Sequence, residues 1–217
     1  MAYGFQVEVW GDYACFSRPE LKVERVSYDV ITPSAARGLL EAVFWKPAIR
    51  YVIDEIAVCA PIRFDNIRRN EVNSKASSGK SYIAASNDRV QRAAMLLRSP
   101  RYVITYHFEL TKKAGERDNE GKFTDSIRRR LEKGQHYHMP YLGNREFPAH
   151  VRLIGEGEMP PSPILETRSL GLMFYDFTYD WTKDKDGDDI ITAFNPSYFQ
   201  AEMVNGVIDL RNVEVLR

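Results

Sequence analysis

The order of strand-like and helix-like segments constrains the fold of this chain more than any other feature of its sequence. Apolar runs and alternating apolar side chains predict strands at residues 5–10, 22–28, 50–58, 102–110 and 147–153. Apolar stripes at helical spacing predict one helix from residue 34 to about 45 and a second from about 120 to 133. Strands and helices in this order are typical of a ferredoxin-like (RRM-like) fold in the α+β class.

The predicted helices begin and end at residues that favour those positions. Thr32 is a good N-cap, because its hydroxyl accepts a backbone hydrogen bond, and Pro33 fits the first helical turn. Lys46 ends the first helix, since a residue before proline avoids the helical conformation. Gly134 closes the second. We therefore assign residues 1–155 to the ferredoxin-like domain and predict that it binds RNA.

Two segments lie outside this pattern. Residues 63–99 are polar and basic, and we predict a long mobile insertion there rather than core structure. Residues 156–217 contain strand-like runs at 170–181, 190–194, 198–204 and 207–210, with a hairpin-type turn at Asn205-Gly206. The second segment is predicted to be a C-terminal antiparallel β-sheet subdomain packed on the first domain.

Charge is distributed unevenly, although the whole chain has 30 basic and 30 acidic residues. Residues 1–150 carry 24 Lys and Arg against 18 Asp and Glu, whereas residues 151–217 carry 6 against 12. A basic body favours a polyanionic partner, and a solvated surface with segregated charges is the alternative. The candidate RNA-binding residues are Arg63, Arg68, Arg69, Lys75, Lys80, Arg128, Arg129, Arg130 and Arg145.

Other classes of protein are disfavoured by the sequence. No apolar run reaches the roughly 18 residues that span a bilayer, and the first ten residues do not resemble a secretory signal, so we expect a cytoplasmic protein without membrane contact. Cys15 and Cys59 are too few for a disulfide framework. His136 and His138 allow a metal interpretation, but no cluster of carboxylates or cysteines completes a site. We therefore predict no metal and no cofactor.

Seven short motifs are typical of one protein family. They lie at residues 9–16, 22–38, 45–49, 64–72, 107–110, 118–122 and 141–147, the last reading YLGNREF. In these motifs the chain resembles the type I-C (Dvulg) subtype of the fifth CRISPR-associated protein family, within the RAMP superfamily.

The resemblance implies a function and partners. Members of this subtype recognise the hairpin of the CRISPR repeat in a precursor transcript, cut at its 3′ base without a metal, and remain on the crRNA beside the backbone and large subunits of the type I-C surveillance complex. The resemblance thus implies a metal-independent endoribonuclease. A non-catalytic repeat-RNA-binding subunit of that complex is the alternative, and binding of double-stranded DNA by the same basic face is a third possibility.

The catalytic set of the family is only partly present in this sequence. The resemblance implies a Tyr or His at the end of the first helix and a Lys-His pair at the start of the second, and the matching positions are Phe44, Lys122 and Phe123. Lys122 fits, whereas a phenylalanine neither transfers a proton nor donates a hydrogen bond. Losing such a group typically costs about a hundredfold to ten-thousandfold in rate. The possible substitutes are His136, Tyr137 and His138.

Overall fold

The computed structural model describes residues 4–21, 24–79, 81–183 and 189–217, without the side chains of Trp181 and Asp189. Its helices and strands follow in chain order: β1 (Gly4–Trp10), β2 (Tyr13–Ala14), β3 (Arg25–Val26), α1 (Pro33–Val43), β4 (Ile49–Val58), β5 (Phe64–Val72), β6 (Arg89–Arg98), β7 (Arg101–Leu110), α2 (Glu120–Glu132), β8 (His150–Leu153), β9 (Arg168–Lys183), β10 (Asp189–Met203) and β11 (Val207–Asp209).

The main sheet has the ferredoxin-like strand order that the sequence predicts. Its five strands run β11-β4-β7-β1-β8, and every neighbouring pair is antiparallel. Apolar side chains of the sheet, such as Val7 and Ile104, are buried in one cluster with Leu40 of α1 and Ile127 of α2. The apolar stripes of both helices are therefore buried in the same core as the sheet, which confirms the predicted fold class.

Both predicted helices form, with Thr32 and Gly134 at the ends where they were expected. The Thr32 hydroxyl accepts a hydrogen bond from the Ala35 amide at 3.2 Å, and Pro33 is the first residue of α1. α2 begins after Asn119, whose side chain accepts from the Lys122 amide at 2.9 Å. The chain leaves α2 through Gly134, which has a φ of +60°.

Residues 63–99 differ from the prediction of an insertion outside the core. β5 and β6 pair in register as an antiparallel hairpin, which we call the basic hairpin, and β6 also pairs with β2 and β3. Ala94, Leu96 and Leu97 are buried in the main core cluster. The prediction failed because β5 has polar side chains on both faces and so lacks a strand-like apolar face, whereas three apolar residues of β6 are enough to bury that strand in the core.

The strand predicted at 22–28 is also shorter in the structure. Only β3 forms within it, and Lys22 and Val23 lie outside the described residues. The strand predicted at 147–153 is confined to β8.

The tail forms a long two-stranded antiparallel sheet, β9 and β10, which we call the tail ribbon. The strands predicted at 190–194 and 198–204 are parts of one strand, β10, whose pairing with β9 is interrupted by register shifts. The turn at Asn205-Gly206 has φ values of 48° and 77°, as a tight hairpin turn requires, and β11 then joins the edge of the main sheet beside β4. A Cβ at Gly206 would lie 2.4 Å from the Ile164 carbonyl oxygen, so this position requires glycine.

Tail side chains take part in the main core. Met173, Phe199 and Ile208 are buried in the same cluster as the helices of the ferredoxin-like part. Our proposal that residues 156–217 form a separate subdomain is therefore a division by topology rather than by core. Within the described ranges, the structure contains no helix whose length and apolar content would let it cross a membrane.

Candidate nucleic-acid interface

Two other parts of the chain contact the C-terminal end of α1. The last carbonyl groups of a helix have no partner within that helix. Here the amides of Tyr137 and His138 donate to the carbonyl oxygen of Ala42 at 2.8 and 3.3 Å. The Arg130 guanidinium donates to the carbonyl oxygen of Val43 at 3.0 Å. These donors fix residues 134–140, which we call the histidine loop, and the end of α2 against α1.

The two phenylalanines at the family's catalytic positions are packing residues. Phe44 follows α1 in extended backbone conformation, and its ring centroid lies 6.3 Å from that of Phe123. Phe123 also contacts the ring of Phe108 at 6.4 Å, edge to face. Both side chains are buried. The start of α2 is therefore held against the end of α1 by an aromatic cluster in which neither position supplies a proton.

Lys122 presents its ammonium group to solvent beside this cluster. Its side chain is 53% exposed, and its Nζ donates to Asp118 Oδ1 at 2.7 Å. That hydrogen bond, together with one from the Gly115 amide, holds the pKa of the Asp118 carboxyl below its ordinary value, and the charge of Lys46 adds to the effect. Lys122 is thus an accessible cation whose carboxylate partner a phosphate group can displace.

The histidine loop exposes groups that can transfer protons. The side chains of His136, Tyr137 and His138 are all exposed. His138 stacks on Tyr141 with ring centroids 6.2 Å apart, which orients its imidazole. His136 lines a cleft of about 210 Å³ together with Arg130. Because this loop and the start of α2 both pack on the end of α1, the structure brings the candidate substitutes to the same helix end as Lys122.

The run Arg128–Arg130 does not form one basic surface. Successive residues of a helix point about 100° apart, so neighbours in the sequence face different surroundings. Arg128 lies over the ring of Phe5 at 5.9 Å, at the start of β1. Arg130 lies over the ring of Phe44 at 5.3 Å and caps α1. Arg129 is exposed, which leaves it as the member of the run most available to RNA.

Part of the basic hairpin is held by acidic residues. Arg69 pairs with Glu146 and lies over the ring of Phe147 at 5.3 Å. Arg25 also bonds Glu146, at 3.1 Å, and so joins β3 to the same loop. Arg68 lies on the opposite, exposed face of β5. These contacts connect the hairpin to residues 141–147, the loop that carries the family motif.

The remaining predicted RNA-binding residues are solvent-facing. Arg63, Lys75 and Arg145 are exposed, and Lys80 lies outside the described residues. Two residues that the sequence reasoning missed also belong to this region. Arg25 shares Glu146 with the hairpin, and Trp45, 55% exposed, directly follows Phe44. Trp45 could have been found from its position, because an exposed aromatic residue at a helix end is available to stack on a base.

Within the described part of the chain, no group of three or more His, Cys, Asp or Glu side chains is arranged to hold a metal ion. Cys15 is a buried free thiol and Cys59 a half-buried one. Burial raises the pKa of both thiols, so neither is an activated nucleophile.

Comparisons with known proteins identify close relatives. Residues 4–211 match the sequence model of Cas_Cas5d, a family of CRISPR-associated proteins. The chain is 45% identical over 226 residues to the CRISPR pre-crRNA endoribonuclease Cas5d of Mannheimia succiniciproducens, a match that covers 97% of this chain and 96% of the relative. It is 43% identical over 174 residues to the protein of the same name from Thermus thermophilus, covering 80% and 73% of the two chains.

Solved structures agree on the fold. The crystal structure of a CRISPR-associated protein superimposes with a TM-score of 0.69 at 22% sequence identity, covering 96% of this chain and 92% of that one. At this level of identity the likeness concerns the backbone arrangement of the sheet and helices.

Proposed function

Because the chain belongs to the Cas5d family of CRISPR-associated proteins, we propose that it binds CRISPR repeat RNA and cleaves the precursor transcript without a metal ion. Two relatives at 45% and 43% identity are named pre-crRNA endoribonucleases. One observation of the structure supports the assignment of this activity to Lys122 and the histidine loop. Phe123, the neighbour of the exposed Lys122, and the backbone of the histidine loop both contact the C-terminal end of α1.

The proposed reaction is the attack of a ribose 2′-OH on the adjacent phosphate. The O2′–P bond forms, the P–O5′ bond breaks, and the products are a 2′,3′-cyclic phosphate and a 5′-OH. One group must remove the 2′-OH proton, another must give a proton to O5′, and a cation must stabilise the charge on the phosphorane. Lys122 is suited to charge stabilisation, and His136 and His138 are suited to proton transfer near neutral pH.

A cleavage assay tests this assignment. The full chain is mixed with end-labelled repeat RNA in EDTA, and we expect one cut at the 3′ base of the hairpin. Lys122→Ala is expected to lower the cleavage rate by about a hundredfold or more, because it removes the cation at the phosphorane. The matched control is Lys183→Ala, an exposed lysine on the tail ribbon. Equal rates for Lys122→Ala and the native chain would exclude Lys122 from the site.

The second candidate function is binding of repeat RNA without cleavage. It is favoured by the burial of Phe44 and Phe123 against each other, which leaves two family positions without a proton carrier. Tight binding with an uncut substrate supports this candidate. The double variant Phe44→Tyr/Phe123→His then tests whether restoring the family's tyrosine and histidine is enough to restore cleavage. Its thermal unfolding must be measured in parallel, since the imidazole would be placed in a buried aromatic cluster, beside the substituted ring at position 44 and the ring of Phe108.

We also propose that the protein remains on the crRNA and joins the backbone and large subunits of the surveillance complex, on the basis of its family. Double-stranded DNA is a competing ligand for the basic residues. Competition between repeat RNA and duplex DNA of equal length separates the two. A repeat-binding protein keeps its preference for the RNA hairpin as salt is raised, whereas nonspecific duplex binding is lost.

A further inference from the structure

A second cleft lies beside the first half of α1, away from the C-terminal end of α1 on which α2 packs. Its volume is about 330 Å³, and we call it the α1 cleft. Aromatic rings, polar side chains and one helical glycine line it, including Phe16, Tyr28, Tyr141, Phe174, Asn144 and Gly38. Phe16 and Tyr28 are buried, and Tyr141 and Phe174 are half-buried. A cleft with flat aromatic walls and a few polar groups fits a planar, partly polar ligand.

Gly38 leaves the cleft open at the expense of helix stability. It lies in the interior of α1, where glycine is less favourable than alanine. Its φ is not in the left-handed region, and a Cβ built on it meets no atom of the described residues within 4 Å. Neither the backbone conformation nor close packing therefore requires glycine here. A larger side chain at this position would instead fill free space in the α1 cleft.

The opposite side of the cleft is formed by a tightly fixed loop. Gly143 has a φ of +85°, and a Cβ on it would lie 1.9 Å from the carbonyl oxygen of Cys15. The Cys15 amide also donates to the carbonyl oxygen of Leu142 at 3.1 Å. This close approach of the two backbones places Asn144 at the cleft. The position of Asn144 is therefore set before any ligand arrives.

The side-chain amide of Asn144 has a hydrogen-bond donor that no described residue uses. Its Nδ2 atom is buried without a hydrogen-bond partner among the described residues. A buried amide donor without a partner is unfavourable, and rotation of the side chain toward a ligand removes that cost. Its amide presents a donor and an acceptor side by side, the pair that base edges also present.

The surroundings of the cleft are basic and adjoin the proposed cleavage site. The exposed Arg145 follows Asn144, and Arg25 and Arg69 both bond the next residue, Glu146. Tyr141 lines the cleft and also stacks on His138 of the histidine loop. From Gly38 to Val43, the last residue of α1, the rise along the helix axis is about 7.5 Å, at about 1.5 Å per residue. One RNA strand can reach both places.

We infer that the α1 cleft binds one unpaired nucleobase of the repeat RNA, between Tyr141 and Phe174 and with the Asn144 amide at the base edge. Unpaired RNA bases are recognised by aromatic stacking and by hydrogen bonds to their edges. This inference rests on the proposed function, and it names the part of the substrate that the protein reads next to the scissile phosphate. Gly38 is then a specificity residue, because a side chain larger than a methyl group at this position competes with the base.

The test combines an RNA series with a protein series. Each repeat RNA in the series lacks one base at a single-stranded position, and affinities are measured for the native chain, Gly38→Leu and Gly38→Ala. We expect one abasic position to weaken binding by the native chain about fivefold to a hundredfold. Gly38→Leu fills the cleft, so it should bind intact RNA more weakly and show no further loss at that position.

Gly38→Ala is the matched control. Its single methyl group has room, so it should raise the unfolding temperature and keep most of the response to the abasic position. Asn144→Ala provides the same coupling test by deleting the base-edge contact, should Gly38→Leu fail to fold.

The outcomes separate the two proposals. If the native chain does not bind repeat RNA, the proposed function and this inference both fail. If the chain binds and cleaves the RNA but the penalties of the abasic site and of Gly38→Leu simply add, the base is not in this cleft and only this inference fails.

Discussion

The basic hairpin and the tail ribbon are both antiparallel two-stranded elements, yet they have opposite charge. Residues 63–99 contain 8 Lys and Arg against 3 Asp and Glu, whereas residues 168–203 contain 3 against 7. The ribbon also exposes apolar rings, with Phe194 at 65% exposure and in contact with Phe177. A phosphate backbone is attracted to the first element and repelled by the second. Two elements with similar backbones thus differ in the sign of their charge.

The two elements are also attached differently. β6 of the basic hairpin pairs with three strands and buries Leu96 and Leu97 in the core. The ribbon also buries Met173 and Phe199 in that core, and an ion pair adds to this attachment: Arg37 on α1 donates two hydrogen bonds of 2.8 Å to the carboxylate of Asp176. Strand β6 of the hairpin is therefore part of the core. The outer part of the ribbon, by contrast, is stabilised by contacts within the ribbon, such as that between Phe177 and Phe194.

The largest expected effect is on stability at the base of the hairpin. Leu96→Ala removes a fully buried side chain and should lower the free energy of unfolding by about 2–5 kcal/mol. The comparison is Phe194→Ala on the ribbon, for which we expect a change within about 0.5 kcal/mol. Urea unfolding measures both. A small loss for Leu96→Ala would mean that residues 63–99 are detached from the core after all.

Removing the ionic attachment of the ribbon should have the next largest effect. Arg37 and Asp176 are each about three-quarters buried, at 25% and 26% side-chain exposure. Arg37→Ala leaves the carboxylate without its guanidinium, so we expect a loss of about 1–3 kcal/mol. Desolvation of Arg37 opposes its charge, but its hydrogen bonds to the Asp176 carboxylate and the charges of Asp176 and Glu41 prevail and raise its pKa, so the guanidinium stays charged at working pH.

A double-mutant cycle with Asp176→Ala shows whether the loss belongs to this pair. The double variant should be scarcely less stable than either single variant. Fully additive losses would assign the effect to side-chain packing instead.

The third effect is electrostatic and appears only with RNA. Arg68 is exposed on the solvent face of β5, and Arg68→Ala should reduce the slope of log affinity against log salt by about 1 if it contacts one phosphate. Lys183→Ala on the ribbon should leave the slope unchanged. Binding titrations at several salt concentrations measure both slopes. Equal slopes for all three proteins would place the RNA away from the basic hairpin.

The fold was predictable where the signals are local. Thr32, Pro33 and Gly134 mark the helix ends through contacts within a few residues, and the structure confirms them. The basic hairpin was missed because the burial of Ala94 and Leu97 depends on β2 and β3, which are far away in sequence. Alternation of polar and small residues does not by itself reveal such partners.

In the candidate site, too, local contacts could be predicted from the sequence, whereas contacts between distant residues could not. The exposed pair of Lys122 with Asp118 is a local contact across the start of α2, between residues only four positions apart. The packing of Phe44 on Phe123 joins two helices, and it could be found only from the structure. So did the link of Arg69 to Glu146, which are 77 positions apart.

The smallest expected effect concerns an exposed ion pair in the tail, beyond the ribbon. Hydrogen bonds from the side chain and the amide of Arg211 lower the pKa of Asp209 to about 2, from an ordinary value of 3.8. A carboxyl whose pKa is lower in the folded state stabilises the fold above its ordinary pKa, and that contribution is lost as the pH falls from about 4 through 2. Carboxyl titration by NMR should show the Asp209 pKa rising toward 3.8 in Arg211→Ala.

At neutral pH the same variant should unfold almost like the native chain. The two residues are only two positions apart and both are exposed, so the pair closes no long segment and is screened by water. Arg37→Ala is the internal standard, because its partner is 139 positions away and partly buried. If Arg211→Ala were as destabilising as Arg37→Ala, sequence separation and burial would not explain how the tail is attached, and the contrast between the two hairpins would have to rest on charge alone.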